Sequence, residues 1–325
     1  MNMAKDFLII GHRGSIGKKI ENTIESLEEA LRVDKANALE IDLCLTKDGQ
    51  VILWHDWDPD EKIALARQAG LEKYNKYRPL PPFLPFLRRP TCELDLQTLK
   101  DHYSFIERNA EKREAPQIPL FEEFVRWAKN KETLKYVFLD IKIPVKNLNL
   151  VPTMMQHIHD VLHANTPMFK VVFLTPEKKI LKEIKKCAPQ YKKYCSLDIE
   201  IPPQIGIGPG INALCHQFST VQTAIDLKNH YASIGRPPFL YYIAVNNPED
   251  FLYDSGEIFC KTVTEDVKLM NEHNGNPGAI PVEKLIGWTI NENDEMEDLI
   301  RLGIHGIISD RPNVLYRTAS DLGVL

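Results

Sequence analysis

The chain has 325 residues, of which 43% are hydrophobic and 26% charged, and its formal net charge is -5. This composition is typical of an ordinary globular protein, and the length suits one large α/β domain or two smaller ones. With a sequence pI near 6.1, the chain has no global basic field that would attract nucleic acid or an anionic membrane. Any phosphate-binding charge must therefore be local.

The cysteines and the amino terminus indicate the compartment. Six cysteines are scattered without a Cys-x-x-Cys pair or a metal-site spacing, which predicts reduced thiols. The first residues, MNMAKDFLIIGHRG, contain only four consecutive apolar residues, too few for a signal peptide. No apolar run reaches the length of about 18 residues that a transmembrane helix needs. We therefore expect a cytoplasmic protein without a transmembrane segment.

Short apolar runs alternate with amphipathic segments along the chain. Eight runs are predicted strands: 7–10, 38–45, 136–141, 170–174, 194–199, 239–245, 285–290 and 306–309. Helix starts are marked by Asn22, by Thr175-Pro176-Glu177 and by Asn247-Pro248-Glu249. Strands that each precede a helix predict an α/β fold, a (β/α)8 TIM barrel, as a single domain over residues 1–325. A doubly wound open sheet is the competing architecture.

One apolar run does not fit the barrel count. Val51 to Trp54 follows the second strand after Thr46-Lys47-Asp48-Gly49, and Asp-Gly between apolar runs predicts a hairpin. The hairpin would fold back over the end of the second strand and bring His55 and Asp56 to its carboxyl end. An insertion at about residues 56–115 is then expected before the third strand.

Charged residues lie on two of the predicted barrel strands. Period-two alternation along ALEIDLCL places Glu40 and Asp42 on one face, where a cation or hydrogen bonds must stabilise both charges. On the third strand, Asp140 and Lys142 share a face with Phe138, and taken alone this pair is more simply a structural ion pair. Together, the three carboxylates predict a site for one hard cation, Mg²⁺ or Ca²⁺.

His12 and Arg13 follow the first strand, at the end where barrel active sites are built. The Arg13 guanidinium can bind a phosphate through two parallel hydrogen bonds. Gly11 and Gly14 flank the pair and allow the backbone to approach a ligand closely, while the start of the next helix adds N–H groups that favour an anion. A capping histidine beside a surface arginine is the alternative interpretation.

The segments HRG, ENTIESLEEA, ALEIDLCLTKDGQVILWHD, LDIK, GWTIN and GIISDRP occur in an order and spacing that resembles the glycerophosphodiester phosphodiesterase family. The resemblance implies a (β/α)8 phosphodiesterase that needs one divalent cation. It implies that His12 and His55 are the general acid and base, that Glu40, Asp42 and Asp140 are metal ligands, and that Arg13, Lys142 and Trp288 contact the substrate. Core packing is the alternative interpretation of Trp288.

Two histidines also have a physical rationale in such a reaction. Cleavage of a phosphodiester needs one group to activate the attacking oxygen and another to protonate the leaving alkoxide, and imidazole suits both near neutral pH. The strand-three motif departs from the family, which usually has Glu-x-Lys where this chain has Asp140-Ile141-Lys142. The related phospholipase D toxins resemble this chain in having Asp-x-Lys, so the departure bears on the substrate more than on catalysis.

The segment after His55 is unusually long. Residues WDPDEKIALARQAGLEKYNKY predict one helix that begins at Pro59. The next stretch, PLPPFLPFLRRP at residues 79–90, has five prolines, which favour extended, polyproline-like structure. Its phenylalanines and arginines could form an apolar, basic-edged lip that meets an acyl chain or a lipid surface. A loop packed on the barrel's own helices is the simpler interpretation.

Three functions follow from these residues. The first is a metal-dependent hydrolase that converts glycerophosphodiesters to glycerol 3-phosphate and an alcohol. The second is a lysophospholipase D or sphingomyelinase D-like enzyme that acts on lysolipids and contacts the membrane surface transiently. The third is a catalytically silent scaffold that binds phosphate. The complete set of two histidines, three carboxylates and two cations favours an enzyme of lipid and glycerol metabolism, with a small phosphodiester or lysolipid as its partner and no nucleic acid.

Overall fold

The computed structural model describes residues 7–110, 112–200, 241–245 and 284–325, with four isolated positions between 271 and 277, and gives only the backbone at 192–193, 197–200 and 241–245. Its strands are β1 (Leu8–His12), β2 (Ala38–Leu45), β3 (Val51–Leu53), β4 (Tyr77–Leu80), β5 (Ser104–Glu107), β6 (Arg113–Glu114), β7 (Tyr136–Ile141), β8 (Lys170–Thr175), β9 (Cys195–Glu200), β10 (Tyr241–Val245), β11 (Lys284–Trp288) and β12 (Gly306–Ser309). Its helices are α1 (Ile24–Arg32), α2 (Lys62–Gln68), α3 (Leu96–His102), α4 (Phe121–Ala128), α5 (Val151–Asn165), α6 (Lys178–Cys187), α7 (Asn293–Arg301) and α8 (Pro312–Asp321). Within these described residues, no helix combines the length and apolar content needed to cross a bilayer.

Eight of the strands close into a barrel. The strands β2, β7, β8 and β9 pair in parallel succession, as do β11, β12 and β1. Pairing of β1 with β2, with Gly11 opposite Leu39, completes the ring. This closure confirms the (β/α)8 barrel and excludes the open doubly wound sheet.

Strand β10 departs from the parallel pattern of the other barrel strands that the structure describes. It covers residues predicted as the sixth strand, but it runs antiparallel to both β9 and β11. The strand was predicted correctly, but its antiparallel direction differs from the eight parallel strands that a (β/α)8 barrel implies. An apolar run specifies that a strand forms, whereas its direction depends on the connections at its two ends, which the residue pattern does not encode.

Side chains alternate between the inside and the outside of the barrel. The inner apolar cluster is Leu8, Ile10, Ala38, Tyr136, Phe138, Val172, Leu174, Ile286 and Ile308. The intervening residues of the same strands, such as Ile9, Leu39 and Leu139, belong to a second cluster together with residues of the surrounding helices. Since His12, Glu40 and Asp140 continue the inner rows beyond the apolar residues, the barrel interior ends in a polar site at the carboxyl ends of its strands.

The hairpin predicted after the second strand is present. Strand β3 runs antiparallel to β2, with Leu43 opposite Leu53. The turn contains Gly49 at φ 76°, a conformation that glycine adopts without steric cost. The Trp54 N–H then donates to the Asp42 carbonyl at 3.1 Å, so that the following residue, His55, emerges beside the carboxyl end of β2.

Helix α1 is capped by a different residue from the one predicted. Thr23 is the N-cap, and its hydroxyl accepts from the Ser26 N–H at 3.1 Å. Asn22 instead donates from Nδ2 to Asp42 Oδ2 at 2.7 Å and accepts from the Asp42 N–H at 3.1 Å. The predicted cap was wrong because a tertiary partner occupies the Asn22 amide.

The other predicted helix starts have different outcomes. Helix α6 begins at Lys178, after a turn in which the Thr175 hydroxyl accepts from the Glu177 N–H at 3.2 Å. The Thr175-Pro176-Glu177 signal therefore marked a helix start correctly to within a few residues. The third signal, Asn247-Pro248-Glu249, lies outside the described residues.

Residues between β3 and α4 form a separate layer that contains α2, α3 and the antiparallel sheet β4–β5–β6. The single helix predicted from Pro59 was wrong in its extent, because α2 has only seven residues. Asp58 Oδ1 accepts from the Asp60 N–H at 3.1 Å in a turn before it, and Gly70 at φ 79° follows its end. A left-handed glycine of this kind terminates helices.

The proline-rich stretch follows this layer's first strand. Pro79 lies on β4, an edge strand, opposite Phe105, where a missing N–H costs no ladder hydrogen bond. Residues 81–90 contain no helix or strand. The prolines therefore exclude a helix or a central strand, as expected, but the predicted extended structure is interrupted by a turn in which the Leu84 carbonyl accepts from the Leu87 and Arg88 N–H groups at 2.9 and 3.0 Å.

Candidate active site

The carboxyl ends of the barrel strands bring the sequence-predicted site residues together. His12 ends β1, Glu40 and Asp42 lie on β2, and Asp140 lies on β7, all of them buried. The hairpin delivers His55 to the same end of the barrel. The residues converge because parallel strands present their carboxyl ends on one rim of a barrel.

Three carboxylates form the floor of this site. Glu40, Asp42 and Asp140 each place one oxygen within 4.8 Å of the others. Asp140 Oδ1 is buried and has no hydrogen-bond partner among the described residues. A buried oxygen without a partner, beside two further carboxylates, fits a divalent cation that prefers hard oxygen ligands. Burial and the charges of Asp42 and Asp140 raise the pKa of Glu40 well above its usual range, a shift that a bound cation would oppose.

Lys142 and Arg13 neutralise part of this negative charge. Lys142 Nζ lies 2.5 Å from Asp140 Oδ2 and 3.0 Å from Asp42 Oδ1. Arg13 Nε lies 3.0 Å from Asp42 Oδ2. Burial alone would raise the pKa of Asp42, but Lys142 and Arg13 outweigh it and lower that pKa. Asp42 is therefore ionised and held in place from two sides.

Arg13, predicted to bind phosphate, is surrounded by carboxylates in the structure. Besides Asp42, its Nη1 lies 3.0 Å from Glu72 Oε1 and 3.4 Å from Glu21 Oε2. Its backbone N–H donates to Glu40 Oε2 at 3.0 Å, in a turn where Arg13 itself has φ 53°. The side chain is buried at the base of the site, so its positive charge acts on the whole carboxylate cluster.

His12 is oriented by Asp310, a residue that the sequence analysis did not single out. His12 Nδ1 lies 2.5 Å from Asp310 Oδ1, and its Nε2 lies 3.8 Å from Glu40 Oε2. Asp310 Oδ2 in turn accepts from Asn291 Nδ2 at 2.6 Å. Because an ionised carboxylate only accepts, Nδ1 carries the hydrogen and Nε2 is left to exchange a proton. Alternation along GIISD, which continues the inward row of β12, could have identified Asp310.

His55 is oriented by its sequence neighbour. His55 Nδ1 lies 2.6 Å from Asp56 Oδ1, and the same oxygen lies 3.0 Å from Arg67 Nε. Burial, followed by the charges of Arg13 and Arg67, lowers the pKa of His55 well below its usual value. The ring is therefore neutral at pH 7 and can accept a proton.

Arg67, on helix α2 of the insertion, is connected both to His55 and to Arg13 through shared carboxylates. It is 2% exposed, and besides Asp56 it contacts Glu21 at 2.5 Å and Glu72 at 3.5 Å. Glu21 and Glu72 also contact Arg13, so the two guanidinium groups share a pair of carboxylates. No local pattern in the sequence marked Arg67, because ALARQ is typical of an ordinary amphipathic helix.

Trp288 ends β11 and is half-buried. It packs against the inner apolar cluster, which includes Ile286 on the same strand. Its indole therefore lies on the inward face of the barrel, at the carboxyl end where the polar site begins. Asn291, three residues later, holds Asp310 through two hydrogen bonds of 2.6 and 2.8 Å.

The fold and the polar rim define a TIM-barrel protein with a phosphodiesterase-like site. The profile of the Glycerophosphoryl diester phosphodiesterase family matches residues 12–314. The match covers nearly the whole chain, and the chain belongs to this family.

Individual relatives resemble shorter parts of the chain. Lysophospholipase D GDPD3 of Mus musculus is 40% identical over 65 residues, which are 20% of this chain and 18% of the relative. Lysophospholipase D GDPD1 of Rattus norvegicus is 36% identical over 92 residues, which are 26% of this chain and 27% of the relative. The aligned segments thus span about a fifth to a quarter of these curated relatives.

A solved structure supports the fold over the full length. A phosphodiesterase of Oleispira antarctica, in complex with the product sn-glycerol-3-phosphate, superposes with a TM-score of 0.56 at 15% identity. The superposition covers 96% of this chain and 96% of that chain. At this identity the likeness establishes the shared barrel architecture.

Proposed function

We propose that this protein hydrolyses glycerophosphodiesters to glycerol 3-phosphate and an alcohol, with the help of one divalent cation, Mg²⁺ or Ca²⁺. The observation that carries the proposal is the arrangement of two histidines, each held by its own carboxylate, beside a cluster of three further carboxylates. Family membership supports the same chemistry. These substrates would give the protein a role in lipid and glycerol metabolism, and we expect that role in the cytoplasm.

Glu40, Asp42 and Asp140 would hold the cation. Asp140 Oδ1, which has no hydrogen-bond partner in the described part of the chain, supports their assignment. When bound, a divalent cation polarises phosphoryl oxygens and stabilises the charge that develops on them. Lys142 and Arg13 add fixed positive charge for the phosphate group beside these carboxylates. Trp288 would form an apolar wall against the glycerol or the headgroup.

The two histidines would move the protons. His55 is neutral because burial and neighbouring cations lower its pKa, so its Nε2 would take the proton from the attacking oxygen. His12, with Nδ1 held by Asp310, would deliver a proton from Nε2 to the leaving alkoxide. The proton gained at one ring and the proton lost from the other are exchanged with solvent after each turnover. Water as the nucleophile releases glycerol 3-phosphate, whereas attack by the substrate's own hydroxyl releases a cyclic phosphate.

A cation and mutation series tests this proposal. Hydrolysis of glycerophosphocholine should disappear with EDTA and return with Mg²⁺ or Ca²⁺. His12→Ala and His55→Ala should each lower kcat by about 10²–10⁴-fold, the usual contribution of a general acid or base. Asp321→Asn, at an exposed position on α8, is the matched control. Activity that survives both chelation and His12→Ala would refute the mechanism, and binding without turnover would indicate the silent scaffold.

A second candidate function is that of a lysophospholipase D, with sphingomyelinase D-like chemistry as its variant. The names of the mammalian relatives and the Asp140-Ile141-Lys142 motif favour it. A panel that compares lysophosphatidylcholine, sphingomyelin and glycerophosphocholine at equal concentration distinguishes the candidates by relative kcat/KM.

A further inference from the structure

Exposed apolar side chains are concentrated in the insertion. Ten large hydrophobic side chains are exposed among the described residues, and half of them fall within residues 63–86. Three lie on one loop, which we call the apolar tip: Phe83 is 88% exposed, Leu84 53% and Phe86 62%. Single exposed apolar residues are common, but aromatic residues clustered on one loop indicate an interaction surface. The expectation that this loop packs on the barrel's helices does not hold for these side chains.

The apolar tip stands on a well-anchored base. Arg88 donates to Asp60 Oδ1, two residues before α2, at 2.6 Å and to Oε1 of Gln68, the last residue of α2, at 2.9 Å. The buried Tyr103 hydroxyl donates to the Leu87 carbonyl at 3.2 Å. Several prolines further restrict the backbone. A loop that is already ordered in this way loses little conformational entropy when it binds to another surface.

The base of the apolar tip is the element that braces the active site. Arg67 on α2 contacts Asp56, which holds His55. Arg88 contacts the last residue of the same helix, Gln68. A surface that binds the apolar tip is thereby attached to the element that positions His55. Because the hairpin delivers His55 to the carboxyl end of the barrel, the apolar tip is connected to that end through Arg88, α2 and Arg67.

The charges around the apolar tip cancel. Arg88 pairs with Asp60, and Arg89 pairs with Glu93 at 3.0 Å, so neither arginine contributes an unbalanced positive charge. The two arginines after the apolar tip therefore do not give it the basic edge that the sequence suggested. Together with a net charge of -5 for the chain, this pairing disfavours an anionic surface and favours a neutral one.

We propose that the apolar tip docks on zwitterionic lipid surfaces, such as phosphocholine bilayers or micelles, and that the barrel draws lysolipid from them. Phe83 and Phe86 enter the interface between headgroups and acyl chains, where aromatic rings partition favourably. The docking step depends only on the apolar tip, whereas the delivery of lysolipid rests on the second candidate function, that of a lysophospholipase D.

Vesicle flotation tests the docking step. The full chain should float with phosphatidylcholine vesicles that contain lysophosphatidylcholine. The double variant Phe83→Ser with Phe86→Ser should partition about 100-fold more weakly, since burying one such ring is equivalent to about tenfold in affinity. Met168→Ser, at a residue 66% exposed outside the insertion, is the matched control and should bind as the wild type does. Vesicle binding should change less than about twofold when the salt concentration rises, because the arginines beside the apolar tip are already paired with carboxylates.

Paired activity assays separate docking from catalysis. The double variant should turn over water-soluble glycerophosphocholine as the wild type does, but hydrolyse vesicle-borne lysophosphatidylcholine more slowly in proportion to its weaker binding. The catalytically impaired His12→Ala variant should still float with vesicles. Flotation without turnover of either substrate would refute the proposed function and leave docking intact.

Two results would overturn the docking proposal. One is a wild-type chain that does not float, or that floats only with anionic vesicles in low salt. The other combines two measurements: light scattering shows that the wild type is a dimer and the double variant a monomer, while both float equally with vesicles. The apolar tip would then be a self-association surface. Because both rings are exposed, an unchanged thermal melt of the double variant is expected and confirms that it folds.

Discussion

At the residue scale, the two histidines of the site are oriented in the same way, each by a carboxylate at Nδ1, but the two carboxylates come from very different places in the chain. His55 contacts a carboxylate next to it in the chain, whereas His12 contacts Asp310, which lies 298 residues away. Both contacts fix Nδ1 and leave Nε2 available. The orientation of His12 therefore depends on closure of the barrel, and that of His55 depends on the insertion through Arg67.

Asp310→Asn tests the first of these contacts. The amide keeps the size of the side chain but removes the charge that holds His12 Nδ1–H, so we expect kcat to fall by about 10²–10⁴-fold, by analogy with carboxylate-to-amide changes beside catalytic histidines. KM should change little, because Asp310 is a positioning residue. Steady-state kinetics with glycerophosphocholine would measure both, with Asp321→Asn as control. An effect confined to KM would contradict this role.

Arg67→Met tests the second contact through pH. Arg67 helps to lower the pKa of His55, and a general base must be unprotonated, so the wild type should stay active below the usual histidine range. Removal of the positively charged Arg67 guanidinium raises the pKa of His55, and the acidic limb of the kcat/KM profile should move to higher pH. Arg67→Lys keeps the charge and should retain the wild-type limb.

The same substitution should also destabilise the fold. Arg67→Met leaves the buried carboxylates Asp56 and Glu21 without this partner, and breaking a buried ion pair in this way costs about 3–5 kcal/mol. Urea unfolding at pH 7 measures the free energy of unfolding. A loss below about 1 kcal/mol, the range of surface pairs, would show that the network is not structural.

At the element scale, the turn from β1 into α1 is determined by Gly14. This residue has φ 96°, and a Cβ added there would lie 2.7 Å from the carbonyl carbon of Ser26. The Ser15 N–H donates to the Ser26 hydroxyl at 2.9 Å, which brings α1 tightly against the turn. The glycine is thus required both for its backbone conformation and for the space that it leaves.

Gly14→Ala and Gly49→Ala form a matched pair. Both glycines have positive φ, but a Cβ on Gly49 would have no atom within 4 Å. Gly49→Ala should cost about 1–2 kcal/mol, the strain of a left-handed alanine, whereas Gly14→Ala should cost at least about 2 kcal/mol more because backbone must move. Urea unfolding of both variants compares these values. Equal losses would show that the Ser26 contact relaxes freely.

At the scale of the whole molecule, His305 joins three barrel strands near their amino ends. Its backbone N–H donates to the Leu285 carbonyl at 2.9 Å, its carbonyl accepts from the Leu8 N–H at 3.0 Å, and its Nδ1 accepts from the Leu285 N–H at 3.2 Å. Burial, with a smaller contribution from Lys284, lowers the pKa of His305. The neutral ring is therefore part of the folded barrel.

This protonation state predicts loss of stability in acid. The unfolded chain binds a proton at His305 near the ordinary pKa of about 6.5, whereas the folded chain does so only at lower pH, so stability is complete above that value and falls as pH decreases. His305→Gln, which keeps an acceptor, should make the fall of the urea midpoint between about pH 7.5 and 5 smaller, while the part due to His55, whose pKa is also lowered, remains. An unchanged slope would indicate that other groups cause the acid loss.

Much of the barrel was predictable because it is encoded locally. Period-two alternation correctly placed Glu40 and Asp42 on one face of β2, which the structure shows to be the inner face that Ala38 shares. Asp-Gly correctly predicted the hairpin that carries His55. Caps and helix lengths were less predictable. Asn22 is a residue type that commonly caps helices, yet its amide binds Asp42. Helix α2 is shorter than predicted, because the residue pattern alone did not show where the helix ends.

The sequence by itself determined the barrel strands, which of their residues share a face, and the residue types that the rim would contain. Only the tertiary structure decided which of them meet. Barrel closure brought Asp310 to His12, and the insertion brought Arg67 to Asp56. It also left Phe83 exposed when packing was the simpler expectation. The physical reason is that periodicity is a property of neighbouring residues, whereas charge partners and burial depend on contacts between segments far apart in the chain.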